Sequence, residues 1–164
     1  MIYDNFFIDK ITNSIENALT GQVLKTDVLP FTSDNLKEVL KKYGWRFSWR
    51  KEFKSNDRHL YKLVIRGDTT IQGLISLQRL ENYIEMYLIE TAPDNYGRSK
   101  RYLGVAGNLV AFACKESFDA GFEGFVAFRA KTKLIQHYRD TLGAELLFGD
   151  RMNISGNSSK KLVN

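Results

Sequence analysis

The chain has 164 residues, 43% hydrophobic and 13% aromatic, which is enough apolar surface for one core and too short for two full domains. A single cysteine, Cys114, excludes an intrachain disulfide framework and fits a reducing compartment. The net charge of +5 is spread along the chain, no apolar run approaches the ~20 residues that span a bilayer, and no basic-then-apolar leader opens the sequence, so the expectation is a soluble cytoplasmic protein with no membrane partner.

Residues 1–12 mix aromatic and apolar positions (Tyr3, Phe6, Phe7, Ile8, Ile11) and suggest a short peripheral helix. Thr20-Gly21 signals a turn, and residues 23–29 read as a strand closed by Pro30. Thr32-Ser33-Asp34 caps a predicted helix that runs to Tyr43, with Leu36, Val39 and Leu40 as its apolar face and Gly44 as its stop. Trp45, Phe47 and Trp49 then alternate with Arg46, Ser48 and Arg50, the period of an extended segment. Such an aromatic stripe serves either as a base-stacking platform or as half of a core, and the core is the usual fate of large aromatics.

Residues 60–66 and 70–80 form two strands joined by Gly67-Asp68, and Glu81-Asn82 turns into a third at 83–90. Next comes Arg101-Tyr102-Leu103-Gly104-Val105-Ala106-Gly107-Asn108, which opens a helical pattern. Strand, small-residue turn, helix is how a chain presents unpaired backbone N–H groups and a partial positive charge to an anion. The helix places Ala106, Leu109, Val110, Ala113 and Ser117 on one face, with Asn108, Lys115 and Asp119 opposite, and stops at Gly121. Residues 125–128 read as a short buried strand. Thr132 caps a last helix with Leu134, Ile135, Tyr138 and Leu142 inward, stopped by Gly143. A hairpin at 146–148 and 151–154 follows, then a polar tail, 156–164, expected to be peripheral and frayed.

The anion turn is neither a Walker loop nor a dinucleotide fingerprint, because Gly-Lys-Ser/Thr and G-x-G-x-x-G are both absent. It reads R-x-x-G-x-A, on Arg101, Gly104 and Ala106. This resembles the pyrophosphate loop of the GNAT superfamily of acyl-CoA-dependent N-acetyltransferases, Q/R-x-x-G-x-G/A, and the element order over the last hundred or so residues is similar to that family's. The resemblance implies a single α/β (α+β) domain over 1–164: a twisted, mostly antiparallel mixed sheet with splayed central strands and helices on both faces. It also implies acetyl-CoA as co-substrate and an amine acceptor, protein or small molecule. The pantetheine arm would pair with the strand end at Leu88, Ile89 and Glu90, and the phosphates would meet Arg101, Gly104, Val105, Ala106, Gly107 and Asn108. Arg98 and Lys100 add positive charge at the turn. The acceptor would enter along residues 45–49, and a homodimer is one option for assembly.

Acyl transfer needs a base to deprotonate the amine and an acid for the leaving thiolate. Glu85, inside the strand before the loop, is the first candidate base by resemblance to the histone-acetyltransferase branch. Glu90, at the strand's end, is its rival. Their odd separation puts them on opposite faces of a regular strand unless a bulge intervenes, and a bulge is common there in the family. Tyr138 is the candidate acid, set against a core tyrosine. The family pattern Y-x-x-x-G-F is one residue longer here and ends in Ala144; strict alignment on Gly143 puts Arg139 at the tyrosine position. Lys131 and Lys133 stand where the family has an asparagine, as ligands of the CoA 3′-phosphate or as solvated lysines.

Cys114, in mid-helix without an adjacent cation, reads as a small buried hydrophobe, and His59 and His137 lack metal-ligand spacing. Two rivals to the enzyme remain. One is a catalytically silent GNAT-fold binding or regulatory protein. The other is a basic nucleic-acid-binding protein, for which the charge speaks but no motif does.

Overall fold

The computed structural model describes residues 6–10 and 14–163. Among these residues nine strands form one sheet: β1 (Ser14–Asn17), β2 (Val23–Pro30), β3 (His59–Ile65), β4 (Ile71–Arg79), β5 (Ile84–Thr91), β6 (Tyr102–Leu103), β7 (Val126–Arg129), β8 (Glu145–Phe148) and β9 (Arg151–Ile154). Their order across the sheet is β6-β1-β2-β3-β4-β5-β7-β9-β8. Every pairing is antiparallel except β5 with β7, which run parallel and pair only at Ile84–Val126 and Glu85–Ala127. Beyond Glu85 the two strands part. This is the mixed sheet with splayed central strands that the sequence resemblance implied.

Among the described residues, four α-helices flank the sheet: α1 (Trp49–Lys54), α2 (Val105–Asp119), α3 (Ile135–Leu142) and α4 (Gly156–Val163). Alternation along β4 divides the core between its two faces. Ile75 and Leu77 pack with Leu109, Val110 and Ala113 of α2 and with Tyr138 of α3. Leu74 points the other way, into a smaller cluster with Trp45, Trp49 and Leu88. Helices therefore lie on both faces.

Several expectations change. Residues 33–43 form two 3-10 turns, Ser33–Glu38 and Lys41–Tyr43, rather than one helix, because the chain leaves helical geometry at Val39 and is extended at Leu40; the Thr32 cap, with Asn35 answering it, and the Gly44 stop are as read. Trp45 and Trp49 are buried in the core, and Trp49 opens α1, so the aromatic alternation is not an extended platform. The 156–163 tail is a helix, held by Leu162 in the core and by contacts with α2. Residues 6–10 form no helix and no strand, with Phe6 and Ile8 buried; Tyr3 and Ile11 lie outside the described residues. Asn108 is buried, not on the solvent face of α2: its side chain donates to the Ser14 and Gly104 carbonyls and accepts from Thr26.

Gly73 sets the approach of α2 to the sheet. A Cβ there would lie 2.6 Å from a Val105 methyl carbon and 3.1 Å from one of Leu109. Only a glycine lets the first turn of the helix settle on β4 at this distance.

Candidate active site

The parting of β5 and β7 opens a cleft whose upper end meets the N-terminus of α2. Gly104 precedes that helix with φ +95°, a left-handed conformation that favours glycine. Its N–H donates to the Asp9 carboxylate at 2.9 Å, and the other Asp9 oxygen lies 2.8 Å from the Lys100 ammonium. The turn thus holds an anion, and the anion is the chain's own. Val105, Ala106 and Gly107 follow in the first turn, where N–H groups lack intrahelical acceptors. Val105 and Ala106 also line a cavity of about 380 Å³ with Ile89, Thr91, Tyr96, Lys100 and Tyr102.

Residues 6–9 run on down the cleft. Phe6 stacks on Tyr138, with ring centroids 4.6 Å apart, and tilts against Phe128 of β7 at 5.7 Å. Its carbonyl accepts the Tyr138 hydroxyl at 2.5 Å. The Ile8 N–H donates to His137 Nε2 at 3.0 Å, and the Phe7 ring lies nearly parallel to the His137 ring at 4.2 Å. Burial holds the His137 pKa below its usual value, with nearby Asp140 opposing in part, and this favours the neutral ring that the bond requires.

Arg101 sends its side chain elsewhere. It lines a separate cavity with Glu38, Tyr43, Trp45 and Asp94, and the cation that meets the turn is Lys100. Leu88 packs into the Trp49 cluster, on the face away from Ile89. Gly107, in the first turn of α2, and Asn108, which follows it, are both buried.

Both carboxylates of β5 are buried and committed. Tyr87 is an extra residue against β4, where Leu88 pairs with Ser76 and Met86 with Leu77. The bulge brings Glu85 and Glu90 to one face, the α1 face. Glu90 accepts from the Arg46 N–H at 2.6 Å, the Phe47 N–H at 3.3 Å and the Trp49 indole N–H at 2.8 Å. It anchors the loop into α1. Glu85 takes both terminal nitrogens of Arg151, one at 3.3 Å. That partnership raises the Arg151 pKa. Arg151 in turn lines a cavity of about 590 Å³ on the same face, with Tyr83, Phe122, Phe125, Ala127 and Phe148.

Sequence reading named Lys100 among the cations at the turn but missed Asp9 and the contacts of Phe6, Phe7 and Ile8 with Tyr138 and His137, since each depends on partners about a hundred residues away. Cys114 is fully buried, and burial pushes its thiol up to about 11, which removes it from thiolate chemistry at neutral pH.

No protein-family model and no curated protein matches the sequence. Solved structures do. A bacterial toxin superposes with a TM-score of 0.58 at 14% identity, over 84% of this chain and 94% of that one. A dodecameric spermidine N-acetyltransferase from Vibrio cholerae gives 0.57 at 16% identity, over 84% and 96%. The ribosomal-protein-S18-alanine N-acetyltransferase of Escherichia coli gives 0.55 at 13% identity, over 79% and 94%. At these identities the likeness is one of fold: the chain has the fold of the GNAT superfamily of acetyltransferases.

Proposed function

We propose that this GNAT-fold chain is an N-acetyltransferase that moves an acetyl group from acetyl-CoA to an amine. The observation that carries the reading is the conjunction of a cleft between β5 and β7 with a helix N-terminus that already binds an oxyanion, at Gly104 and Lys100. Pyrophosphate would take the place the Asp9 carboxylate holds, and the pantetheine arm would run toward Tyr138 along the open edge of β5 at Ile89.

The amine nitrogen attacks the thioester carbon, the C–S bond breaks, and the sulfur leaves as a thiolate that takes a proton. In this reading Tyr138 supplies that proton, and Glu85 accepts the amine's proton directly or through water, after Arg151 releases one of its oxygens. The acceptor enters from the α1 face, through the aromatic cavity beside Arg151. A lysine-like amine is almost wholly protonated at neutral pH, so some proton acceptor is required.

A second reading has its own observation. Glu85, Glu90 and Tyr138 are all engaged in bonds that hold the fold, which suits a catalytically silent GNAT-fold protein. Acetyl-CoA calorimetry, followed by a thiol-release assay across peptide lysines, peptide N-termini, polyamines and amino sugars, separates the readings. Thiol release above the hydrolysis background with a mass-identified acetyl product supports the enzyme. Binding without turnover supports the silent protein. If neither the wild type nor Asp9→Asn binds millimolar acetyl-CoA, both the co-substrate and the enzyme are refuted.

A further inference from the structure

The geometry points to a gate built into the chain: residues 6–9 occupy the acetyl-CoA cleft as a ligand mimic and must leave before the co-substrate enters. This inference rests on the proposed acetyl-CoA reading. Its own ground is that four consecutive residues each take a place along one path. Asp9 puts a carboxylate, of the charge sign of a phosphate, on the Gly104 N–H and the Lys100 ammonium. Ile8 is held by its N–H on His137 and is buried. Phe7 covers the His137 ring. Phe6 fills the floor between Phe128 and Tyr138, and its carbonyl accepts the hydrogen bond of the Tyr138 hydroxyl, whose proton the proposed acid would give to sulfur.

Each contact therefore blocks a different part of the site: the anion turn, the arm of the cleft and the acid. A segment tied only by packing would have no reason to place its single acidic side chain at the helix N-terminus. The remaining cavity, about 380 Å³, adjoins Phe6, Phe7 and Asp9, so the part of the path left open is continuous with the part they fill. A protein whose competent state is a minor fraction binds more weakly by that fraction, and a mutation that loosens the closed state recovers the affinity.

The test uses three full-length proteins, the wild type, Asp9→Asn and the double variant Phe6→Ala/Asp9→Asn, titrated with acetyl-CoA by calorimetry. Hydrogen exchange at the Ile8 and Gly104 amides of the wild type is followed with and without acetyl-CoA. We expect Asp9→Asn to bind about tenfold more tightly, because it gives up a charge-assisted bond of the closed state only. We expect saturating acetyl-CoA to speed exchange at Ile8 while Gly104 stays protected by its new ligand. Equal affinity in wild type and Asp9→Asn, with Ile8 still protected at saturation, overturns the gate and leaves the acetyl-CoA reading standing. If none of the three proteins binds, with circular dichroism unchanged, the acetyl-CoA reading falls and takes the gate with it. The exchange measurement needs no variant, so a substitution that fails to fold does not rescue the proposal.

Discussion

Glu85 and Glu90 stand on the same face of the sheet, although five residues apart, because the single extra residue Tyr87 shifts β5 by one position against β4. Had the strand been regular, one of the two would point into the α2 side of the core. The bulge thus serves both: it lets Glu90 reach the loop at Arg46–Trp49 while Glu85 reaches Arg151. The two carboxylates separate by role, one bracing the α1 loop and the other paired with Arg151, which lines the aromatic cavity.

Glu90→Ala is expected to destabilise the protein by ~3 kcal/mol or more, since it strands three buried or half-buried N–H donors. In a domain of this size that corresponds to a melting drop of roughly 6–12 °C. Glu90→Gln, which keeps an acceptor oxygen, should lose distinctly less. A Glu90→Ala variant that melts like the wild type would remove the anchoring role.

Glu85→Gln tests the other carboxylate. If Glu85 receives the amine's proton, turnover falls most at neutral pH and recovers as pH climbs toward the amine's own value near ~10.4, where hydroxide takes over. A wild-type pH–rate profile in Glu85→Gln assigns proton removal to water or another group.

Tyr138→Phe should move two quantities in opposite directions. It removes the hydroxyl bonded to the Phe6 carbonyl, which loosens residues 6–9 and strengthens acetyl-CoA binding severalfold. It also removes the proposed proton donor, and turnover falls by about tenfold to a thousandfold. The ring remains stacked against Phe6 and Phe128, so calorimetric affinity and single-turnover rate report these effects without a large change in fold.

The His137 ring accepts the Ile8 N–H, and burial holds its pKa below 6.5. Well above 6.5 the ring is neutral in folded and unfolded chains alike, and it adds no pH dependence. As pH falls below 6.5 the unfolded chain takes the proton first, so stability declines until pH passes the depressed folded value. Exchange at the Ile8 amide should quicken over the same interval, because a protonated ring cannot accept. His137→Phe should flatten both responses; a pH-independent Ile8 amide in the wild type would sink the assignment.

Gly73→Ala adds one methyl group where 2.6 Å separates the new carbon from Val105. The expected cost is about 1–3 kcal/mol of overpacking, together with weaker binding at the α2 N-terminus, as the helix is pushed away from β4. Thermal melting and acetyl-CoA titration check both.

Most of the sheet was legible because its strands are local neighbours. β3, β4 and β5 follow one another through Gly67-Asp68 and Glu81-Asn82 and pair in that order. The glycine turn into α2 was legible for the same reason: strand, small residues and helix lie within one short window. What escaped depends on distant partners or on very short elements. β6 has two residues and β1 four, too few for any period to register. The aromatic cluster Phe6-Phe7-Ile8 suits a helix in isolation, and only its contacts with Phe128, His137 and Tyr138 show where it is held instead. Asn108 looks like a surface residue until Ser14 and Thr26 arrive from β1 and β2. The tail helix α4 buries Leu162 and Ser159, a pattern too sparse to raise above a polar background.

The order in which the cleft is filled has a consequence for how the molecule is made. The Phe6 carbonyl and the Tyr138 hydroxyl are 132 positions apart, and Asp9 and Gly104 are 95 apart. On the ribosome the segment emerges well before its partners, so Phe6 and Ile8 stay exposed until α3 has left the exit tunnel. Contacts of such long sequence separation close late. A nascent or freshly refolded chain therefore passes through a stage in which the sheet is formed and the cleft is still vacant. A co-substrate present at that stage meets no competitor, and refolding yields followed with and without acetyl-CoA would record the difference.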